Sequence, residues 1–255
     1  MKLDMTKLTN NLMKMAQITC KAEIALRPYY VHIPFIAKLQ MEYGACGMAV
    51  ETIQDIKELI PCGIFDFLMV KELEDYNEII EMSLTYRIIL TLNLNSDLSK
   101  LIEACKKYHQ CIEVVVNYDF SQNYQDYIQY IQEIQKYDEL DFAGIQAFSN
   151  TLATTKDYYQ RYDQSYDIEE DLGKLLEECQ KKEIQVDIVT GLSSASTKFR
   201  EEKYFDTHFT ESQAGNYAIG TKYSDYSDLD FEQAITELDD PKVYLVDGDI
   251  IIDEL

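Results

Sequence analysis

The chain has 255 residues, 46 of them Asp or Glu against 23 Lys or Arg, for a net charge of −23. That length suits one domain with a large core, while so strong an acidic excess excludes binding through nucleic-acid phosphates, which needs clustered Lys and Arg. No apolar run reaches membrane-spanning length.

In chain order, short β-branched or apolar runs alternate with helical periodicity, the pattern of a parallel sheet with crossover helices. Strands are predicted at residues 3–5, 25–30, 47–50, 66–70, 88–92, 111–117, 142–147 and 185–190. Helices are predicted at 8–18, with Leu8, Leu12, Met15 and Ala16 on one face, and at 127–134, with Ile128, Ile131 and Ile134 spaced for burial. Tyr158, Tyr159, Tyr162 and Tyr166 crowd one polar stretch, read as amphipathic surface loop, with interface anchors as the sharper alternative. A helix is expected around 231–238, and residues 243–246 and 249–252 flank Asp247-Gly248 in a hairpin pattern. Eight strand–helix units predict an α/β fold, a closed (β/α)8 barrel over 1–238, with 239–255 as a short terminal hairpin. The first strand is so short that closure is expected to be imperfect there.

Cysteines 20, 46, 62, 105, 111 and 179 include no C-x-x-C pair, and no secretory apolar segment is present, so reduced thiols and a cytoplasmic location are expected. Histidines 32, 109 and 208 lack zinc-ligand spacing, and no metal is expected. The acidic last third reads as solvated surface, with a surface for a basic partner as the alternative.

Residues 25–40 read A-L-R-P-Y-Y-V-H-I-P-F-I-A-K-L-Q, followed by Tyr43-Gly44-Ala45-Cys46-Gly47. This resembles the R-P-H-x-K-T-H-K segment, I-A-K-L-Q helix and G-A-x-G strand of the D-threonine aldolase and D-serine dehydratase family, whose barrel is of the alanine racemase N-terminal type. The resemblance implies pyridoxal phosphate held as an imine by a strand lysine. Here no lysine lies between Arg27 and Ala37, and Tyr29, Tyr30 and Val31 stand in its place; Lys38 falls in the following helix. Lys71, after 66–70, is the candidate substitute at the mouth of the fourth predicted strand, against the plain reading of a surface lysine beside Glu72.

Other motifs follow in the family's order. Residues 113–120, E-V-V-V-N-Y-D-F, keep Asp119 but have Ser121, Tyr124 and Asp126 where the resemblance implies two glycines and an arginine. Residues 142–151 keep Gln146 but place Phe148 and Thr151 where a tyrosine and a histidine are implied. The loop from Gly191 through Ser193 and Ser194, and the run 210–217 ending in Gly215, Asn216 and Tyr217, resemble the family's phosphate-binding segments.

These substitutions lead to the expectation of a catalytically inactive relative, without cofactor, acting as a structural or interaction subunit of a larger assembly. Two alternatives stay open. One is a pyridoxal-phosphate lyase or isomerase acting on an amino acid, rebuilt around Lys71, Ser193, Ser194, Asn216 and Tyr217. The other is a noncovalent phosphate-ligand module using Gly191, Ser193, Ser194, Gly215, Asn216 and Tyr217. The resemblance also implies a C-terminal β-domain, metal-bearing in the aldolases, of which almost nothing is present. A protein partner or oligomer is therefore expected, to cover what that domain would cover.

Overall fold

The computed structural model describes residues 2–201, 206–220, 228–236, 244–246 and 249–251. Strand β1, Lys2–Leu3, leads into helix α1, Met5–Ala22. Asp4 caps that helix by accepting from the Thr6 and Lys7 amides at 3.0 and 3.1 Å, and Leu8, Leu12, Met15 and Ile18 form its buried stripe. The chain then alternates: β2 Ala25–Leu26, α2 Pro34–Glu42, β3 Met48–Val50, α3 Ile53–Leu59, β4 Asp66–Met69, α4 Asn77–Met82, β5 Arg87–Leu92, α5 Ser99–Tyr108, β6 Ile112–Asn117, α6 Tyr124–Ile134, β7 Leu140–Gln146, α7 Asn150–Thr154, α8 Tyr158–Lys181, β8 Ile188–Leu192, α9 Ser194–Thr197 and β9 Glu211–Ser212. Three further strands follow, β10 Ile235–Thr236, β11 Tyr244–Val246 and β12 Asp249–Ile251.

Eight strands lie parallel in the order β2-β9-β8-β7-β6-β5-β4-β3. An isolated parallel bridge pairs Tyr29 with Ala49, with Ala49 N–H donating to Pro28 O and Tyr30 N–H to Ala49 O at 2.9 and 2.8 Å. That bridge joins the two ends of the sheet, so the (β/α)8 barrel closes at the segment following β2. Residue alternation separates two cores, as strand geometry requires. Leu68, Ile89, Val115, Ala143 and Ile188 form one cluster, and the intervening Phe67, Met69, Ile88, Leu90, Val114 and Val116 belong to another, shared with the helices. Among the described residues no helix is long and apolar enough to cross a membrane.

Several sequence-based expectations are corrected. The predicted strand 3–5 is not a barrel strand: Lys2–Leu3 pairs antiparallel with β10 and β12 in a separate four-stranded sheet, and Met5 already belongs to α1. Its place in the barrel is taken by β9, a two-residue polar strand lying between β8 and β2. The predicted helix around 231–238 is absent over the described residues 231–236, where Ile235–Thr236 is a strand. Tyr158, Tyr159, Tyr162 and Tyr166 lie on α8 and not in a loop. The terminal hairpin forms as expected, with Val246 opposite Asp249; its turn, 247–248, is outside the described residues.

Candidate functional site

In a (β/α)8 barrel the reactive positions lie at the C-terminal ends of the strands, so the interior is best followed upward from the strand starts. At the lower end Arg27, 1% exposed, donates to Glu211 through Nε at 2.9 Å and Nη2 at 3.1 Å, and through Nη1 to Asp66. Asp66 also takes Arg87 at 2.8 Å, and Arg87 pairs with Glu113 at 2.7 Å. Burial opposes the Arg27 charge, but the bonds to Glu211 outweigh it and keep the guanidinium protonated. Above this ionic belt comes the apolar layer of Leu68, Ile89, Val115, Ala143 and Ile188.

The layer nearest the mouth is neutral and polar. Gln146 donates to Val70 O at 3.1 Å and to Asn117 Oδ1 at 3.4 Å, while its own oxygen accepts from Thr91 at 3.2 Å and from Gln213 at 3.3 Å. One amide thus ties together side chains or backbone from β5, β6 and the ends of β4 and β9. Outward from it, Asn117 donates to Asn93 at 3.1 Å, and Asn93 and Ser96 donate to Glu72 at 2.8 and 2.7 Å.

At the exit of the first barrel strand the Tyr29 hydroxyl donates to Glu51, which follows β3. Lys71, which follows β4, donates to the other oxygen of the same carboxylate. Burial, then the bond to Glu51, pushes the Tyr29 hydroxyl well above its ordinary range, so it remains a proton donor. Burial favours neutral Glu51, but the bonds from Lys71 and Tyr29 prevail and hold its carboxyl below the usual range. Beside it, Asp55 accepts from the Glu51 and Thr52 amides at 3.1 and 2.9 Å, completing a capping box with Thr52. Its second oxygen lies 3.4 Å from Nδ1 of His32, a residue in the left-handed region at φ 58°.

The segments carrying Gly191, Ser193 and Ser194 and Gly215, Asn216 and Tyr217 do come together, beside Tyr29. Gln213 N–H donates to Leu192 O, Tyr29 N–H donates to Gln213 O, and the Tyr217 amide donates to Ser194 Oγ at 3.1 Å. The hydroxyls, however, are turned on one another. The Ser193 amide donates to Ser196 Oγ, the Ser193 and Ser196 hydroxyls are 3.2 Å apart, and the Thr197 and Ser212 hydroxyls are 2.7 Å apart. Tyr217 is 1% exposed, with Gln40 as the polar neighbour of its hydroxyl; Asn216 is half-buried. Both glycines have packing reasons. Gly191 has φ +145° and a Cβ there would sit 2.5 Å from the Ala147 backbone, while one on Gly215 would strike Tyr29 O.

Arg161 of α8 anchors this loop from behind. Fully buried, it donates to Ala195 O at 3.2 Å, to Thr155 O and Lys156 O at 3.0 Å, and to Asp228. About two turns on, Glu169 binds Arg200 and Thr207 at 2.7 and 2.8 Å.

Pyridoxal phosphate does not fit this arrangement as an imine. The first barrel strand presents a phenol, Lys71 is engaged by Glu51, and the hydroxyls of the predicted cradle are bonded within the protein. Thr190 Oγ1, buried without a hydrogen-bond partner among the described residues, offers a phosphate no charge. Nor do three His, Cys, Asp or Glu side chains converge to hold a metal among the described residues. The sequence places Lys71 at the mouth and Tyr29, Tyr30 and Val31 at the lysine position, but gives no sign of Glu51, which joins Tyr29 to Lys71. The T-x-x-D spacing of Thr52 and Asp55 could have marked this turn; the contact with Lys71 has no sequence signal.

The family model for the N-terminal domain of alanine racemase matches residues 3–222. Among solved structures, D-threonine aldolase from Filomicrobium marinum is 19% identical with a TM-score of 0.82, over 99% of this chain and 81% of the aldolase. D-threo-3-hydroxyaspartate dehydratase from Delftia sp. HT23 is 14% identical with a TM-score of 0.75, over 85% of this chain and 60% of the dehydratase. Alanine racemase from Bacillus anthracis is 16% identical with a TM-score of 0.71, over 91% of this chain and 61% of the racemase. At such identities the likeness is one of fold. No curated protein matches the chain.

Proposed function

We propose, from the premise that this chain belongs to the family of the alanine racemase N-terminal domain, that it is a member silent in imine chemistry and acts as an interaction subunit. The observation carrying this reading is the Tyr29–Glu51–Lys71 cluster. A phenol cannot form an imine, and the Lys71 amine is turned onto the Glu51 carboxylate rather than left open toward a carbonyl. The neutral network around Gln146 supports the same view, because it closes the upper barrel with groups that neither titrate near pH 7 nor act as nucleophiles. On this reading residues 1–238 persist as a scaffold whose outer surface is the functional part, with 239–255 as its terminal hairpin.

The test is an absorbance titration with pyridoxal phosphate, followed by borohydride reduction and peptide mapping. The expected result is no protonated-imine band and no pyridoxyl group concentrated on one lysine. Stoichiometric pyridoxylation of Lys71 would overturn the reading and restore an enzyme acting on an amino acid. The interaction role is tested separately by sedimentation of the chain with and without its copurifying proteins. A stable complex is expected, and a chain that neither self-associates nor binds another protein contradicts it.

A further inference from the structure

We propose that the outer stripe of α8 formed by Tyr159, Asp163, Tyr166 and Glu170 is a docking surface for an arginine-bearing segment of a partner protein. This deepens the interaction-subunit reading and rests on it. The four residues are spaced i, i+4, i+7 and i+11, which puts them on one helix face. All four are exposed, and Tyr159 at 76% and Tyr166 at 60% stand out as large rings left in solvent. Isolated apolar side chains on a surface need no explanation, but two aromatics one above another on a fixed helix form an anchor pair.

The stripe is held rigid from beneath. Arg161 and Ser165, on the opposite side of the helix, are fully buried, and Arg161 is bonded to three backbone carbonyls. Tyr158 and Tyr162 pack edge-on against buried Phe199, each with ring centroids 5.5 Å apart. A partner therefore meets a helix already fixed in place, with the Tyr159 ring set edge-on against Tyr158 at 5.2 Å between centroids, so that little backbone entropy is lost on docking.

Charge selects the occupant. Asp163, Asp167 and Glu170 lie among the tyrosines; exposed Lys156 precedes the stripe and Lys174 follows it, the latter paired with Glu170 at 3.1 Å. A second copy would set acidic stripe against acidic stripe on chains of charge −23, and nucleic acid or an anionic membrane would be repelled likewise. A guanidinium suits both elements of the stripe, stacking on a phenol face while pairing with a carboxylate one turn away.

The test titrates the full chain into fluorescein-labelled octa-arginine, octa-lysine and octa-glutamate, read by anisotropy. Three paired variants are compared: Tyr159→Ser with Tyr166→Ser, Asp163→Asn with Glu170→Gln, and the remote Asp138→Asn with Asp141→Asn. Circular dichroism checks that each is folded, as exposed positions predict. Octa-arginine is expected to bind more tightly than octa-lysine, and octa-glutamate not at all. The tyrosine pair and the α8 acid pair should each weaken octa-arginine by about tenfold, the remote pair by less than about twofold. No binding, equal loss in the remote variant, or indifference to the tyrosine pair overturns the proposal. So does a chain dimer that Tyr159→Ser with Tyr166→Ser dissolves, which would give the face to a second copy. Pyridoxylation of Lys71 would remove the imine-silent reading without changing these titrations, so the two failures are separable.

Discussion

The two ends of the barrel interior differ in the kind of polarity they bury. Where the strands begin, full charges interlock: Arg27 with Glu211 and Asp66, and Asp66 with Arg87, which also holds Glu113. Toward the mouth the buried groups are amides and hydroxyls around Gln146, and the ion pair of Lys71 with Glu51 sits at the rim, with Lys71 62% exposed. The lower belt is a structural device in which every charge has a partner of opposite sign. The mouth, where this fold places its chemistry, has been made neutral inside and self-satisfied at its edge.

If that contrast is right, the ends should respond unequally to mutation. Arg27→Met has the largest expected effect, because it leaves Glu211 and Asp66 without their buried cation; about 3–5 kcal/mol should be lost in urea unfolding. A loss below about 1 kcal/mol would mean the belt is solvated enough to do without it. Gln146→Ala comes next, at about 1–3 kcal/mol, since the Thr91 and Gln213 groups it serves are buried. Lys71→Ala should change stability by less than about 1 kcal/mol, as befits an exposed pair, and a larger loss would show the rim cluster to be structural.

The smallest effect separates the ends by pH. In the folded state the Glu51 carboxyl titrates below the ordinary carboxylate range, so its contribution to stability is present above that range and fades as pH falls through the lower folded-state pKa. Thermal melts from pH 3 to 7 should therefore show a shallower acid limb for Glu51→Gln than for the parent. Superimposable limbs would remove Glu51 from the acid response.

Much of the fold was legible because buried parallel strands carry a strong local signal. The run Val114-Val115-Val116 can hardly be anything else, and it is β6. Lys2–Leu3 and Glu211–Ser212 are too short to have such a signal, so the sequence suggests a barrel strand at the first and none at the second. The first half of α8 reads as loop in the sequence because its buried face is made largely of Arg161, Ser165 and Glu169, polar residues that leave no apolar periodicity. At the candidate site, the missing strand lysine could be seen from residues 27–37 alone. The partners that replaced it could not, since Tyr29, Glu51 and Lys71 come from three successive strand ends and meet only when the barrel closes.

By itself, then, the sequence determined the barrel class, the order of its repeating units and the loss of a lysine at the first strand, because each is written in local residue type and spacing. The tertiary structure decided which strands close the barrel, that the Ser194 and Thr197 hydroxyls are taken up by the Tyr217 amide and by Ser212, and that Glu51 claims both Tyr29 and Lys71. Those outcomes depend on hydrogen bonds and charge pairs between residues distant in the chain, and such pairings have no local pattern to read.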